Sequence, residues 1–440
     1  MQIRTMRWLD RWLGTPLCLA LTAIRRLTDA GRRLVGMRPR KDPALSSWHR
    51  PPAVLFVKLA EMGSTVLALP AIQRLRRQAP GARLHYLCFA ENRSVLDLLP
   101  GIDWAGIHTI RTTSILTFAC DTVRIIWRLR RLRLDAAIDL EILTRASALL
   151  VYLSGAPVRV GFHRFAAEGL NCGDLYTHRL TYNHHLHTAG AFLALVEALA
   201  APPGQVPMLK HPIQPPAGLP PFEPTPAERQ ALLARLVAGG YPAGTRPPLI
   251  ILNTNASDLL PLRRWPMEYF LDLAQRCLSD HPDAWIVLTG SPGEAARAAE
   301  LERNLGAARV INMAGRTTLR ELVTLYTLCD LMVTNDSGPV HFASLTRLPT
   351  VALFGPETPE LYGPLNPAAR TVTAGLACSP CIHVFNARES PCRDNQCMKQ
   401  ITVDQVYREV RALLSTRLRA PERGEEATIP PVPPASPPAT

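Results

Sequence analysis

From residue 53 onward, short apolar runs alternate with longer stretches whose apolar positions recur every three or four residues. "AVLFVKLA", "ARLHYLCFA", "DWAGIHTI", "DAAIDLE" and "RVGFH" read as strands. Between them "LALPAIQRLRRQAP", "NRSVLDLLP", "ILTFACDTVRIIWRLRRLRL" and "TRASALLVYLSGA" read as helices. Strands separated by helical connections imply a parallel sheet covered on both faces. Prolines interrupt the pattern over 206–247, around one short helix in "PAERQALLARLVAGG". The alternation restarts at "PLIILNTNAS" and continues through "AWIVLTG", "RVINMAG", "LMVTND" and "PTVALFG" to a last helix at 403–418. The pattern therefore predicts an α/β protein with two Rossmann-like, doubly wound domains, 51–205 and 248–418. A ligand cleft is expected at the carboxyl ends of their strands. The segment 206–247 is read as interdomain chain, and the proline-rich 419–440 as a disordered tail.

Composition narrows the partners. The 440 residues are 47% hydrophobic, enough for sizeable cores, and carry a formal net charge of +13, which points to an anionic ligand or surface. Aromatics make up only 6% and do not interleave with the arginines, so nucleic acid is not expected. Residues 1–50 hold the charge-free run "LGTPLCLALTAI" between arginines, with Trp8 and Trp12 close by. It falls short of the roughly 20 apolar residues a bilayer core needs and lacks a signal-peptide cleavage pattern. It is read as a basic amphipathic helix lying on anionic lipid, against the alternative of an extra helix packed on the first domain.

Chemistry concentrates in "LMVTNDSGPVHFASLTRLPTVALFGPETPELYGPL", residues 331–365. A strand delivers Asn335, Asp336, Ser337 and Gly338 to the start of a helix that carries His341. Free backbone N–H groups and a helix amino end form a phosphate site, with "GPETP" as a second glycine turn at the same sheet edge. The alternative is that Asp336 and Ser337 only cap the helix.

The string D-S-G-x-x-H, followed by P-T-V-A-L-F-G-P, resembles the signature of glycosyltransferase family 9, the lipopolysaccharide heptosyltransferases. "MGSTVLALPAIQRLRRQAPGARLHYL", "NTNASDLLPLRRWPMEYFLDLA" and "VLTGSPGE" are similar to other segments of that family. The resemblance implies the GT-B fold, with its two domains facing a central cleft, and an inverting, metal-independent transfer. The donor would be a nucleotide-diphosphate sugar of the ADP-heptose kind, and the acceptor an anionic, lipid-linked glycan. Catalysis would need no cofactor, and the protein would sit at the cytoplasmic surface of the inner membrane. It assigns Asp336, Ser337, Gly338, His341 and Ser257 to the donor, Arg263 or Arg264 to leaving-group charge, and Glu294 to the donor ribose. Gly63, Ser64 and Thr65 belong to the acceptor-side turn. There the family's general base, an aspartate, is replaced by Ser64, whose hydroxyl cannot take the acceptor proton. Glu61 is the nearest candidate base, against a different carboxylate or none. A nucleotide-sugar or glycolipid binder without transfer is the alternative function. An oxidoreductase is disfavoured because no G-x-G-x-x-G follows a predicted strand.

Six of the ten cysteines lie singly and read as small hydrophobes. Cys378, Cys381, Cys392 and Cys397 cluster in "CSPCIHVFNARESPCRDNQC", where a structural zinc, disulfides or reduced thiols are all open.

Overall fold

The computed structural model describes residues 3–34, 50–165, 172–203, 205–256, 260–306, 308–386 and 388–419. Much of the expected linker after the first helix, Ser257 and the tail from 420 lie outside the described residues. The chain divides into two units. The first comprises Met1–Leu219 together with Glu360–Gly363 and Cys381–Pro391; the second comprises Pro220–Pro359, Pro364–Pro380 and Cys392–Thr440.

In the first unit β1 (Ala53–Val57), β2 (Arg83–Phe89), β3 (Trp104–Ile110), β4 (Ala136–Asp139), β5 (Val158–His163) and β6 (His178–Thr181) form a parallel sheet in the order β3-β2-β1-β4-β5-β6. In the second, β7 (Leu249–Asn253), β8 (Trp285–Leu288), β9 (Val310–Asn312), β10 (Leu331–Asn335), β11 (Thr350–Phe354) and β12 (Ala369–Thr373) repeat the same winding as β12-β11-β10-β7-β8-β9. Each sheet therefore reverses its strand order once, between β1 and β4 and between β7 and β10. Helices cover both faces of such a sheet, so every residue of β1, β7, β10 and β11 is buried.

Two edge strands escape the pattern reading. The segments "HRLT" of β6 and "ARTVT" of β12 are polar, and β12 is half exposed. Edge strands carry such residues because one flank is unpaired, so no apolar run announces them. "NRSVLDLLP" forms a 3-10 helix, Ala90–Leu98, rather than an α-helix. Part of the proline-rich region proves to be structure of the second unit. The helix Pro226–Ala238 starts with Pro at its first turn and a capping box between Thr225 and Glu228. Glu228 then pairs with Arg320 of the helix Leu319–Leu328.

The amino-terminal helical segment, Ile3–Leu9 continuing through Asp10–Gly14 into Thr15–Leu34, is two-faced. Positions two turns apart pack on the first unit. Asp10 accepts from the Ala146 amide (2.7 Å) and meets Arg145, Cys18 is fully buried, and Arg25 pairs with Asp174 (2.9 Å). The opposite face leaves Trp8, Trp12, Leu13, Leu17, Ile24 and Leu27 more than half exposed. The packed-helix alternative thus describes one side of this segment and leaves the other side apolar and open. Among the described residues no helix is long and apolar enough to cross a membrane.

Candidate active site

A doubly wound sheet opens a crevice where its strand order reverses, because the connections on either side depart toward opposite faces. In the second unit the residues at that point follow β7 and β10. Asn335 ends β10, and its side chain binds both neighbours: Nδ2 donates to the Thr254 carbonyl (3.0 Å) and Oδ1 accepts from the Trp265 amide (3.0 Å). Fully buried Trp265 anchors the loop through Nε1 to the Ile401 carbonyl (2.8 Å). The residue before Trp265 is held the same way, since Arg264 donates twice to the Ala256 carbonyl (3.1 and 2.9 Å).

Arg263 is the member of the pair that meets the acids at this point. Its guanidinium lies 2.7 Å from Glu357 and 3.4 Å from Asp336, two carboxylates that are each 3% exposed. Burial pushes the Asp336 carboxyl up from its ordinary range, and Arg263 opposes the rise. Burial likewise pushes Glu357 up to about 7, again against Arg263. One cation thus serves two buried acids. Glu357 comes from "GPETP", where sequence reasoning noted the glycine turn and overlooked the acid; a Glu closing an apolar strand was the available signal.

Asp336 and Ser337 do not cap the next helix, Gly338–Ala343: no side-chain cap bond forms there, and the Ser337 hydroxyl donates to the Asn335 carbonyl (3.2 Å). A side chain at Gly338 would press on the Phe342 ring at 3.3 Å. His341 is buried on this helix. Asn255, after β7, was also missed. It is 2% exposed, and its amide has no hydrogen-bond partner among the described residues, an arrangement that costs about 1–3 kcal/mol unless something satisfies it. Glu294, expected at the ribose, accepts from the Ser291 amide (2.7 Å) in a capping box, so the structure gives it a local role at a helix start.

In the first unit the reversal lies between β1 and β4, and two acids and a lysine meet there. Lys58, 3% exposed, pairs with Glu141 (2.9 Å) and Glu61 (3.2 Å). Glu141 also accepts from the amides of Leu59 (2.7 Å) and Ala60 (3.1 Å). Asp139, the last residue of β4, accepts from the Tyr176 hydroxyl (2.6 Å) and from the Glu141 amide (3.0 Å). The left-handed residue of the turn is Glu61 (φ 70°), while Gly63 lies inside the helix Met62–Leu67. Ser64 donates to Glu61 (3.0 Å), and Arg388 closes on the other carboxylate oxygen. Thr65 is turned inward, 1% exposed, against the Glu61 carbonyl and the Tyr86 hydroxyl.

A family profile described as glycosyltransferase family 9 (heptosyltransferase) matches residues 122–390. The chain belongs to glycosyltransferase family 9. It is 30% identical over 157 residues to lipooligosaccharide heptosyltransferase 2 of Campylobacter jejuni, a match covering 34% of this chain and 47% of that protein. The chain spans about half the length of the curated relatives it matches. Among solved structures, ADP-heptose LPS heptosyltransferase II of E. coli aligns over 83% of this chain and 99% of that one, with TM-score 0.62 and 21% identity. A family 9 glycosyl transferase from Veillonella parvula aligns over 83% and 97%, with TM-score 0.65 and 20% identity. The fold is therefore the GT-B fold of family 9.

The cysteine cluster of this family 9 chain, for which zinc, disulfides and reduced thiols were all open, holds four unbridged cysteines. Among the described residues no three His, Cys, Asp or Glu side chains come together as a metal would require. Cys397 is buried in the second unit's core, Cys381 takes a hydrogen bond from Ser390 in the first unit, and Cys378 and Cys392 are exposed.

Proposed function

We propose that the protein is a heptosyltransferase-type glycosyltransferase that moves a sugar from a nucleotide-diphosphate donor to an anionic, lipid-linked acceptor of the lipopolysaccharide core. Inversion and independence from a catalytic metal are part of the reading. The observation that carries it is Arg263, set between Asp336 and Glu357 at the second unit's strand reversal in a chain of family 9. In the transfer, an acceptor hydroxyl gives its proton to Glu61, its oxygen bonds to the anomeric carbon, and the bond from that carbon to the phosphate oxygen breaks. The electron pair leaves with the nucleoside diphosphate. Arg263, His341 and the amides beside Gly338 meet the charge that develops, the role a metal plays elsewhere. The Asn255 amide supplies a further donor for a phosphate or sugar oxygen, and Ser64 orients Glu61.

Titration calorimetry with nucleoside diphosphates and their sugars is expected to give one nucleotide site, weakened at least about tenfold by His341→Ala. Absence of binding by the wild type, or an unchanged affinity in the variant, would sink the reading.

The acceptor's lipid places the enzyme at a membrane surface, and the first unit supports that placement. Leu116, Val123 and Trp127 of the helix Ile115–Arg131 also stand more than half exposed in one stripe, with Arg124, Arg128 and Arg131 around them. This helix and the amino-terminal one contribute to one core cluster through Cys18, Ile125 and Leu129. Apolar side chains entering the headgroup boundary, with arginines on anionic lipid, describe interfacial binding. Co-sedimentation is expected to show at least about tenfold stronger binding to anionic than to neutral vesicles, and loss of most of it in Trp8→Ala/Trp12→Ala. Equal binding to both vesicle types would contradict this surface.

A further inference from the structure

The first unit's charge cluster contains one more cation than Glu61 needs in order to be held. Lys58 already has Glu141 as its counter-ion at 2.9 Å. Arg388 reaches the site from the late segment Cys381–Pro391, which packs with the first unit. Its side chain is 20% exposed, and Glu61 is the carboxylate it meets among the described residues. The guanidinium also donates to the Tyr362 hydroxyl (3.2 Å) and stands 5.6 Å from the centre of that ring.

The loop is built to present this group. Asn386 spans it, donating to the Cys381 carbonyl (2.8 Å) and accepting from the His383 amide (3.1 Å), and the Arg388 amide closes back on the His383 carbonyl (3.0 Å). Arg388 (φ 57°) and Glu61 (φ 70°) both hold left-handed backbone, which is strained for a residue that bears a side chain and gathers at functional sites. An ion pair assembled from two strained residues is a costly way to fill space.

We propose that Arg388 is the anion-recognising residue of the acceptor site: a phosphate or carboxylate of the acceptor takes the place of Glu61 on its guanidinium and so releases Glu61 to receive the proton of the acceptor hydroxyl. The inference rests on the glycosyltransfer reading. A guanidinium suits the exchange because its planar fork binds carboxylate and phosphate in the same two-point manner. Charge also balances. Lys58 and Arg388 offset Glu61 and Glu141 before the acceptor arrives; afterwards the acceptor anion replaces Glu61 as partner of Arg388, and Glu61 is neutralised by the proton it gains. The base is thus freed only when the correct anion is present.

The test is binding of a lipopolysaccharide core oligosaccharide to the full chain without donor, in three forms: intact, dephosphorylated and carboxyl-reduced. Wild type is expected to lose at least about tenfold in affinity for one stripped form, which identifies the anion. Arg388→Gln is expected to bind all three alike, with Arg388→Lys between. Glu61→Gln is expected to bind the preferred form more tightly than wild type, since the competing counter-ion is gone. A purely structural Arg388 would lower the unfolding midpoint without changing the preference. Retained discrimination in Arg388→Gln, weaker binding in Glu61→Gln, or equal binding of the three forms by wild type each overturns the inference. Failure of the glycosyltransfer reading would instead register in the nucleotide titration.

Discussion

Replacing Arg263 with alanine is expected to lower sugar transfer by about 10²–10³-fold, the loss seen when one fixed stabiliser of developing charge is removed. The same change leaves Asp336 and Glu357 buried without their shared cation, which on its own is worth about 3–5 kcal/mol of stability. The stability loss carries a pH signature. Burial raises Glu357 from 4.5 to about 7 in the folded chain, so between those values the folded state keeps a proton that the unfolded state gives up. Stability therefore falls as pH rises through that window and levels off above it. Without Arg263 the folded value climbs further and the decline extends to higher pH. Denaturant unfolding of Arg263→Ala should accordingly differ from wild type less at pH 5 than at pH 8. A destabilisation that is the same at both, or transfer within threefold of wild type, would show that Arg263 serves neither role.

Glu61→Gln is expected to reduce kcat by about 10²–10⁴-fold with nucleotide-sugar affinity unchanged, because the donor groups belong to the second unit while the proton acceptor belongs to the first. The substitution also removes a counter-ion from Lys58 and Arg388, so transfer must be expressed per folded molecule. Loss of stability with full transfer would assign Glu61 to the charge cluster alone. The two cations and one hydroxyl on Glu61 give the binder-without-transfer alternative its specific support. That alternative prevails if wild type binds nucleotide sugar and transfers nothing to any lipid acceptor.

The order of elements was legible because strands of a parallel sheet buried on both faces read as continuous apolar runs, and the helices between them keep a three-to-four residue period. The D-S-G-x-x-H block was legible because its residues are neighbours along the chain as well as in space. Two readings needed the fold before they resolved. In the pair Arg263 and Arg264 the sequence offers two equivalent cations, and the Ala256 carbonyl takes one while the acids take the other. At the amino terminus the apolar run is visible, but which of its faces packs depends on where Arg145 and Asp174 lie.

By itself, then, the sequence determined the two doubly wound sheets, the family and the Asp336 corner, all properties of local periodicity and short motifs. Only tertiary structure decided that Glu141 balances Lys58 from 83 residues away, that Glu357 shares Arg263 with Asp336, that Arg388 closes on Glu61, and that four closely spaced cysteines do not converge. The reason is that strand order, not chain order, sets which side chains meet at a sheet's reversal, and nothing in the spacing of a polar residue records the distant partner that burial will require of it.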